Sequence, residues 1–336
     1  MRVAGYVRAQ TVAEAVLALA DGGILVAGGT DLMVKARARE PYAKRVLVDV
    51  SEVPELRRVA VRGDGATEIG ASVTLAELSG AAGPADEVAG DVGAAVPPLL
   101  AEAAAHVGGV QTRNRATIGG NVANACPAAD CIPALMALGA RAVVAGPGEA
   151  PGTVAERELA LGELFRDCPA CLRHEGMLVR TCLFADPTAK KLALGRGEML
   201  ARLVVPARLK GERSVFRKLT TNASVDLATM SLAGVATLAS DGRVEALSVS
   251  MGGLFSAPRV MDEVTSALVG ELPAPGLVAE ACLAAADELA RRSAKLADLG
   301  YKRRALPGFL AGGLCGLLGT DRAATLTALD EEGERS

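Results

Sequence analysis

Residues 113–130 read RNRATIGGNVANACPAAD and contain two adjacent glycines, Gly119 and Gly120. Glycine has no Cβ and reaches backbone angles closed to other residues, so this pair predicts a turn at which phosphate oxygens can approach main-chain N–H groups directly. Pro127 is expected to open a helix with Asp130 in its first turn, within reach of a ribose hydroxyl. Taken alone, the pattern is equally typical of a Gly-Gly turn between two core elements.

Another glycine pair, Gly28 and Gly29, lies near the N-terminus, and its stretch is called the first glycine stretch below. Residues 24–35 read ILVAGGTDLMVK and repeat the arrangement of a short apolar strand, two glycines, polar side chains and a lysine. Two such stretches suit one elongated ligand better than two unrelated turns. The sequence therefore favours a diphosphate-bearing cofactor held by both stretches.

Length and composition limit the class of protein. The chain has 336 residues, half of them apolar, which is enough for two or three domains with sizeable cores. A net charge of -3 gives no reason to expect nucleic acid or an anionic membrane surface as a partner. No secretory signal is recognised, and the best apolar run, residues 309–318, is shorter than the ~20 residues of a membrane span. We therefore expect a cytoplasmic protein without membrane insertion, whose seven cysteines are thiols or metal ligands.

Local patterns predict mixed helices and strands. Two Thr-x-x-Glu capping boxes, Thr11 to Glu14 and Thr74 to Glu77, predict helix starts. Further helices are predicted at 99–107, 279–290 and 301–318, and strands at 24–27, 46–50, 67–73, 139–145, 216–219, 227–236 and 244–252. Asp241-Gly242 predicts a hairpin turn, Pro258 is expected to end the strand meander, and the acidic residues at the C-terminus are expected to fray.

The two glycine stretches and residues 69–78, IGASVTLAEL, resemble the flavin-binding subunit of the molybdenum hydroxylases, the xanthine dehydrogenase and carbon monoxide dehydrogenase family. The resemblance implies an α+β protein. Its FAD-binding domain would be of the PCMH/vanillyl-alcohol-oxidase type in two subdomains, residues 1–55 and 56–195, followed by a C-terminal α+β domain of the CO dehydrogenase flavoprotein type at 196–320 and a tail at 321–336.

In that family an AGGT-type loop and a TIGGN loop together hold the FAD pyrophosphate. Carried over by motif position, the cofactor-binding residues would be Val26, Ala27, Gly28, Gly29, Thr30, Asp31, Leu32, Lys35, Thr117, Ile118, Gly119, Gly120, Asn121, Asn124, Asp130, Leu200 and Lys218. Leu200 would lie beside the isoalloxazine and Lys218, or its neighbour Arg217, near the ring. Where relatives often have a stacking aromatic, this sequence has His106-Val107, and His106 is expected to be an ordinary helix-end residue.

The chemistry would come from the flavin, with no catalytic residue on this chain. No Gly-x-Gly-x-x-Gly fingerprint follows a strand, so a Rossmann dinucleotide site is not expected. The resemblance implies an FAD-dependent oxidoreductase subunit that passes electrons between iron–sulfur clusters and NAD+, ferredoxin or a quinone. Its partners would be a molybdopterin-binding large subunit and a [2Fe–2S] small subunit. The alternatives are a stand-alone FAD-dependent oxidase or reductase of the same fold, and a scaffold subunit that binds nothing, against which the intact glycine stretches argue.

Residues 166–190 depart from the short loop expected of the family at this point. They contain Cys168-x-x-Cys171 and Cys182, and a Cys-x-x-Cys pair has the spacing used for zinc and iron–sulfur ligation. With a fourth ligand these thiolates could hold a [4Fe–4S] cluster. Cys126 is preferred over Cys131 because it directly follows the TIGGN loop of residues 117–121. The alternative is an exposed loop with incidental thiols.

Overall fold

The computed structural model describes residues 3–38, 45–80, 95–150, 152–165, 192–222, 225–255, 257–292 and 299–333. They form two compact units. The first unit takes in the described residues of 1–126, 139–166 and 184–207, and the second those of 127–138 and 208–336. The mixture of helices and sheets confirms the predicted α+β class.

The first unit begins with a three-stranded parallel sheet. Its strands are β1 (Gly5–Arg8), β2 (Ile24–Val26) and β3 (Val46–Asp49), in the order β1-β3-β2. Helix α1 (Val12–Ala20) joins β1 to β2 and is capped by Thr11, whose Oγ1 accepts a hydrogen bond from the Glu14 N–H at 3.2 Å. After β2 the glycine pair Gly28-Gly29 leads into helix α2 (Leu32–Ala38), where the sequence predicted a loop. Leu, Met, Lys, Ala and Arg in this segment are good helix formers.

A five-stranded antiparallel sheet completes the first unit. Its strands are β4 (Val59–Val61), β5 (Thr67–Gly70), β6 (Arg141–Pro147), β7 (Val154–Ala160) and β8 (Met199–Val205), in the order β4-β5-β8-β6-β7. The helices of the described residues that accompany it are α3 (Pro54–Arg57), α4 (Leu75–Leu78), α5 (Pro98–Ala105), α6 (Val110–Arg113) and α7 (Ile118–Asn124). A 3₁₀ turn, Leu161–Leu164, follows β7. The predicted capping box at the start of α4 is confirmed, since Thr74 and Glu77 exchange both hydrogen bonds.

The second unit is an antiparallel sheet covered by helices. Helix α8 (Cys131–Ala137) packs on strands of this sheet, which are β9 (Arg213–Leu219), β10 (Met230–Leu238), β11 (Val244–Gly252) and β12 (Arg259–Val260), paired in sequence order. The helices that follow are α9 (Asp262–Leu268), α10 (Pro275–Arg292), α11 (Leu299–Leu318) and α12 (Arg322–Gly333). Their buried Leu, Val and Ala side chains form one core with β10 and β11.

Two expectations for this unit are corrected. Pro258 does not end the meander, because β12 follows it and pairs with β11. The chain end that was expected to fray forms α12, in which Thr325 and Leu329 are buried. Thr325 donates a hydrogen bond to the Asp321 carbonyl oxygen at 2.7 Å, so its hydroxyl is satisfied inside the core.

Candidate functional site

The two glycine stretches meet in the first unit. A Cβ placed on Gly28 would overlap the carbonyl oxygen of Arg115, so the backbone of the first stretch (residues 24–35) lies directly against that of the second stretch (residues 113–130). Gly29 has φ +69°, a left-handed conformation that glycine adopts without strain, and it turns the chain into α2. Gly28 and Gly29 therefore have different tasks: the first permits close approach and the second permits the turn.

The first stretch offers backbone donors. Among the residues that the structure describes, none accepts a hydrogen bond from the backbone N–H groups of residues 27–31. Unpaired N–H groups beside glycines are the feature by which protein loops hold phosphate groups. This part of the site has the donor set that a diphosphate requires.

The second stretch differs from its prediction. Gly119 and Gly120 are in the first turn of α7, and neither has a positive φ. Their N–H groups are used within the protein: that of Gly119 donates to the Ala71 carbonyl oxygen at 2.9 Å and that of Gly120 to Thr117 Oγ1 at 3.1 Å. A Cβ on Gly119 would lie 2.5 Å from the Cβ of Ala71. The expected unusual backbone angles are therefore wrong, and Gly119 is needed for packing on Ala71.

Polar side chains join the two stretches. Lys35 Nζ donates to Asn124 Oδ1 at 2.6 Å, which connects α2 to the end of α7, and it lies 2.5 Å from Asp31 Oδ2. The Oδ1 atom of Asn121 is buried and has no hydrogen-bond partner in the described part of the chain. Buried polar atoms are nearly always satisfied, so this one points to a ligand. With the available N–H groups and the glycine contact, these residues fit a diphosphate-bearing cofactor such as FAD.

Asp130 and Lys218, both predicted to contact the cofactor, lie in the second unit and form a buried ion pair. Their charged atoms are 2.7 Å apart, and their side chains are 5% and 8% exposed, respectively. Asp130 is the residue before α8 rather than a member of its first turn. Arg217, the other candidate for the basic residue, has its guanidinium beside Gly312 of α11 instead. The structure thus brings Asp130 and Lys218 together but not Arg217.

Leu200 is buried in β8 at a β-bulge. Val144 pairs with Leu200 and Val143 with Arg202, which leaves Ala201 as the extra residue. The Ala201 carbonyl oxygen accepts a hydrogen bond from the Ala71 N–H at 2.9 Å. Ala71 therefore connects the strand of Leu200 to Gly119.

Sequence reasoning missed the part played by Ala71. The signal was the run of small residues Gly70-Ala71-Ser72, which marks a place where backbones approach closely. A Cβ on Gly70 would overlap the Leu56 carbonyl oxygen, and the Ser72 hydroxyl donates to the Val50 carbonyl oxygen at 2.9 Å.

His106 is the C-terminal cap of α5, where its Nδ1 bonds to the Glu102 carbonyl oxygen at 2.9 Å. Its expected place at a helix end is confirmed.

Most of the predicted cluster ligands, namely Cys168, Cys171 and Cys182, lie outside the residues that the structure describes. Cys126 is buried just after α7. Cys131 is buried in α8, and burial raises the pKa of its thiol, which disfavours the thiolate that a metal needs. Over the described ranges, no three His, Cys, Asp or Glu side chains are grouped so that they could hold a metal ion.

The described helices include none that is both long and apolar enough to cross a bilayer.

Comparison with known proteins identifies the family. A family described as FAD binding domain in molybdopterin dehydrogenase matches residues 2–184, and one described as CO dehydrogenase flavoprotein C-terminal domain matches residues 214–314. The xanthine dehydrogenase FAD-binding subunit of Escherichia coli O157:H7 is 33% identical over 129 residues, which are 38% of this chain and 41% of that protein. The carbon monoxide dehydrogenase medium chain of Hydrogenophaga pseudoflava is 35% identical over 147 residues, 42% of this chain and 47% of that protein.

The aligned segments thus span less than half of either relative. A solved structure covers much more of the chain: carbon monoxide dehydrogenase from Hydrogenophaga pseudoflava, lacking the Mo-pyranopterin moiety of its cofactor, matches with a TM-score of 0.72 and 26% identity over 94% of this chain and 96% of that one. The first family alone covers more than half of the 336 residues. The chain belongs to the family of FAD-binding domains of molybdopterin dehydrogenases.

Proposed function

We propose that this chain is the FAD-binding electron-transfer subunit of a multi-subunit molybdenum hydroxylase and that it works in the cytoplasm. The observation that carries the proposal is the contact of the two glycine stretches in the first unit, at which the N–H groups of residues 27–31 have no acceptor among the described residues. Such a donor set in a member of this family supports a site for the FAD diphosphate.

Each part of the site has a physical role in this proposal. The backbone N–H groups of residues 27–31, which begin at Ala27 directly after Val26, would bind the diphosphate. Gly28 allows this backbone to lie against the second stretch. Lys35, held by Asp31 and Asn124, would add a positive charge, and the buried Asn121 amide would hydrogen bond to the cofactor. The remaining proposed contacts are Gly29, Thr30, Leu32, Thr117, Ile118, Gly119, Gly120, Asp130, Leu200 and Lys218. Bound FAD supplies the redox chemistry that couples the one-electron iron–sulfur carriers to the electron acceptor.

The proposed partners are a molybdopterin-binding large subunit and a [2Fe–2S] small subunit. Support comes from the relatives, which are named as a FAD-binding subunit and a medium chain of dehydrogenases. In this assembly electrons would pass from the iron–sulfur clusters through this subunit to NAD+, ferredoxin or a quinone. The substrate would be oxidised on the large subunit.

The test is purification of this chain alone and then with its partners. We expect the chain alone to retain FAD, identified after denaturation by chromatography, but to oxidise no organic substrate. Co-expression with large and small subunits encoded beside it should give a complex that reduces an acceptor in a substrate-dependent way. A flavin-free chain would contradict the proposal, and substrate oxidation by the chain alone would favour a stand-alone oxidase or reductase.

A [4Fe–4S] cluster bound by Cys126, Cys168, Cys171 and Cys182 is part of the proposal. It is supported by the Cys-x-x-Cys spacing. Iron and acid-labile sulfide would be measured on the chain purified anaerobically without partners. About four irons per chain, lost on Cys168→Ser or Cys171→Ser, are expected. Iron-free protein with a normal FAD content would contradict the cluster, and zinc in place of iron would indicate a structural metal site.

A further inference from the structure

Lys302 of α11 is buried in the second unit, with only 2% of its surface exposed. Lysine is almost never buried this far unless the polar end of its side chain is bonded. The Nζ atom of Lys302 donates a hydrogen bond to the carbonyl oxygen of Gly253 at 2.6 Å. Gly253 directly follows β11, so this bond connects α11 to the end of that strand.

Gly253 is held by its other backbone group as well. Its N–H donates to the carbonyl oxygen of Pro127 at 2.7 Å, and its φ of +80° is a left-handed conformation that suits glycine. A Cβ on Gly253 would lie 2.4 Å from the carbonyl oxygen of Thr229, the residue before β10. Lys302 therefore bonds to a closely packed turn, Gly252-Gly253, which we call the β11 turn.

Gly252 supports the segment that carries Asp130. From the position that a Cβ would take on Gly252, the Pro127 carbonyl oxygen and Pro133 Cγ are each 3.1 Å away. The segment 127–133 therefore lies against Gly252 at both of its ends, with Asp130 between them. A shift of the β11 turn would move Asp130.

Lys218 lies in the same row of the sheet as Gly252. Ser231 of β10 pairs with Lys218 of β9 on one side and with Gly252 of β11 on the other. Directly paired residues of neighbouring strands point to the same face of a sheet, so Lys218 points to the face on which the segment 127–133 lies. This row explains why Lys218 meets Asp130 there, at 2.7 Å.

We propose that Lys302 is a positioning residue for the FAD site. Its hydrogen bond holds the β11 turn, and the turn holds Asp130 against Lys218. The inference rests on the proposed function, in which Asp130 and Lys218 contact the cofactor. Lys302 acts on FAD through these residues and does not touch it, in agreement with its burial.

The test uses the full-length chain, freed of FAD and then titrated with it, and compares Lys302→Met with the wild type. Methionine is a flexible side chain that fills the space of the lysine stem but donates no hydrogen bond. We expect the FAD dissociation constant of Lys302→Met to rise at least about tenfold, because the β11 turn loses its support and Asp130 shifts.

Leu314→Ala is the matched control, since Leu314 is buried in the same helix about three turns further along the chain. This variant should lower the free energy of unfolding, measured in urea, but leave the FAD dissociation constant unchanged. If Leu314→Ala loses as much FAD affinity as Lys302→Met, the loss reflects general destabilisation and the inference is overturned.

A double-mutant cycle separates positioning from support of the fold. In the background Asp130→Leu with Lys218→Met, the pair that Lys302 positions is absent. There Lys302→Met should change the FAD dissociation constant by less than about twofold. Lys302→Gln, whose side chain is shorter, is taken through the same cycle if Lys302→Met does not fold.

An equal loss of FAD affinity with and without the pair overturns the inference, because Lys302 then acts by another route. Unchanged affinity of the single Lys302 variant overturns it as well. A wild-type chain that binds no FAD overturns the proposed function, and this inference with it.

Discussion

At the residue scale, neighbouring glycines of the site serve different purposes. Gly28 lies against the Arg115 backbone, Gly29 provides a left-handed turn, and Gly119 packs on Ala71. The sequence predicts all of them as phosphate-binding positions, because a glycine pair looks the same whether its missing Cβ makes room for a ligand or for another backbone. Replacing Gly119 with Val is therefore expected to disturb the fold itself, and not only the cofactor site.

Gly28→Ala tests the contact between the two stretches. The added Cβ would overlap the Arg115 carbonyl oxygen, so the first stretch must move, at a cost of about 1–3 kcal/mol in the free energy of unfolding. FAD retention should fall with it, because the N–H groups of residues 27–31 move too. Urea denaturation and FAD titration measure the two effects. Gly63→Ala is the control, since nothing lies within 4 Å of a Cβ there; equal FAD retention in both variants would contradict the role given to Gly28.

Asp130→Ala tests the buried ion pair with Lys218. Removing one partner leaves the other charge buried, which typically costs about 3–5 kcal/mol. The loss should therefore appear in the free energy of unfolding of the chain without FAD. The double variant Asp130→Leu with Lys218→Met should recover much of the lost free energy of unfolding, because it leaves no charge buried. If Asp130→Ala weakens only FAD binding and leaves unfolding unchanged, the pair is not structural.

At the element scale, the sequence predicts best where a local rule decides the structure. Thr11 and Thr74 cap α1 and α4 as their Thr-x-x-Glu patterns predict, because a capping box is closed by residues three positions apart. The strand at 244–252 is also confirmed with its predicted bounds. Helices α2, α7 and α12 were not predicted. Gly119 and Gly120 disfavour α7 locally, and packing in the fold decides otherwise, whereas α2 and α12 consist largely of good helix formers that were expected to form a loop and a frayed end.

The segment before β8 is held by Glu198, whose carboxylate accepts from Arg157 Nε and Nη2 at 2.9 Å and from the Gly195 N–H. The hydrogen bonds from Arg157, helped by that of Gly195, hold the pKa of Glu198 below its ordinary value of 4.5 despite burial. A carboxyl with a depressed folded-state pKa stabilises the protein above its unfolded-state pKa. That contribution is lost as the pH falls through the folded-state value.

Glu198→Gln should therefore lower the free energy of unfolding at neutral pH, and the difference from the wild type should shrink as the pH falls below 4.5. Urea denaturation of both proteins at about pH 7 and about pH 3.5 measures this change. The exposed Glu55→Gln serves as the control and should show little effect at either pH. A Glu198→Gln deficit that is equal at both pH values would show that lost packing, not charge, is responsible.

At the scale of the whole molecule, the chain distributes the proposed FAD residues over two units. Residues 26–35 and 117–124 belong to the first unit, whereas Asp130 and Lys218 belong to the second. The chain passes from the first unit to the second between Cys126 and Pro127, just after α7. No local pattern marks it, because which core a helix joins depends on contacts far apart in sequence, here those of α8 with β10 and β11.

The C-terminal helix shows how a segment that reads as a polar tail can complete a core. Thr325 and Leu329 of α12 are buried against the cluster that contains Cys315, Leu317 and Leu318. Ending the chain after residue 320 should expose these apolar side chains and lower the midpoint of thermal unfolding, because each buried Leu contributes roughly 1.5–3 kcal/mol. Removing only residues 334–336 is the matched control and should leave the midpoint unchanged. If both truncated chains unfold at the temperature of the full chain, α12 does not contribute to the core, and the expectation from the sequence that the tail frays would be correct.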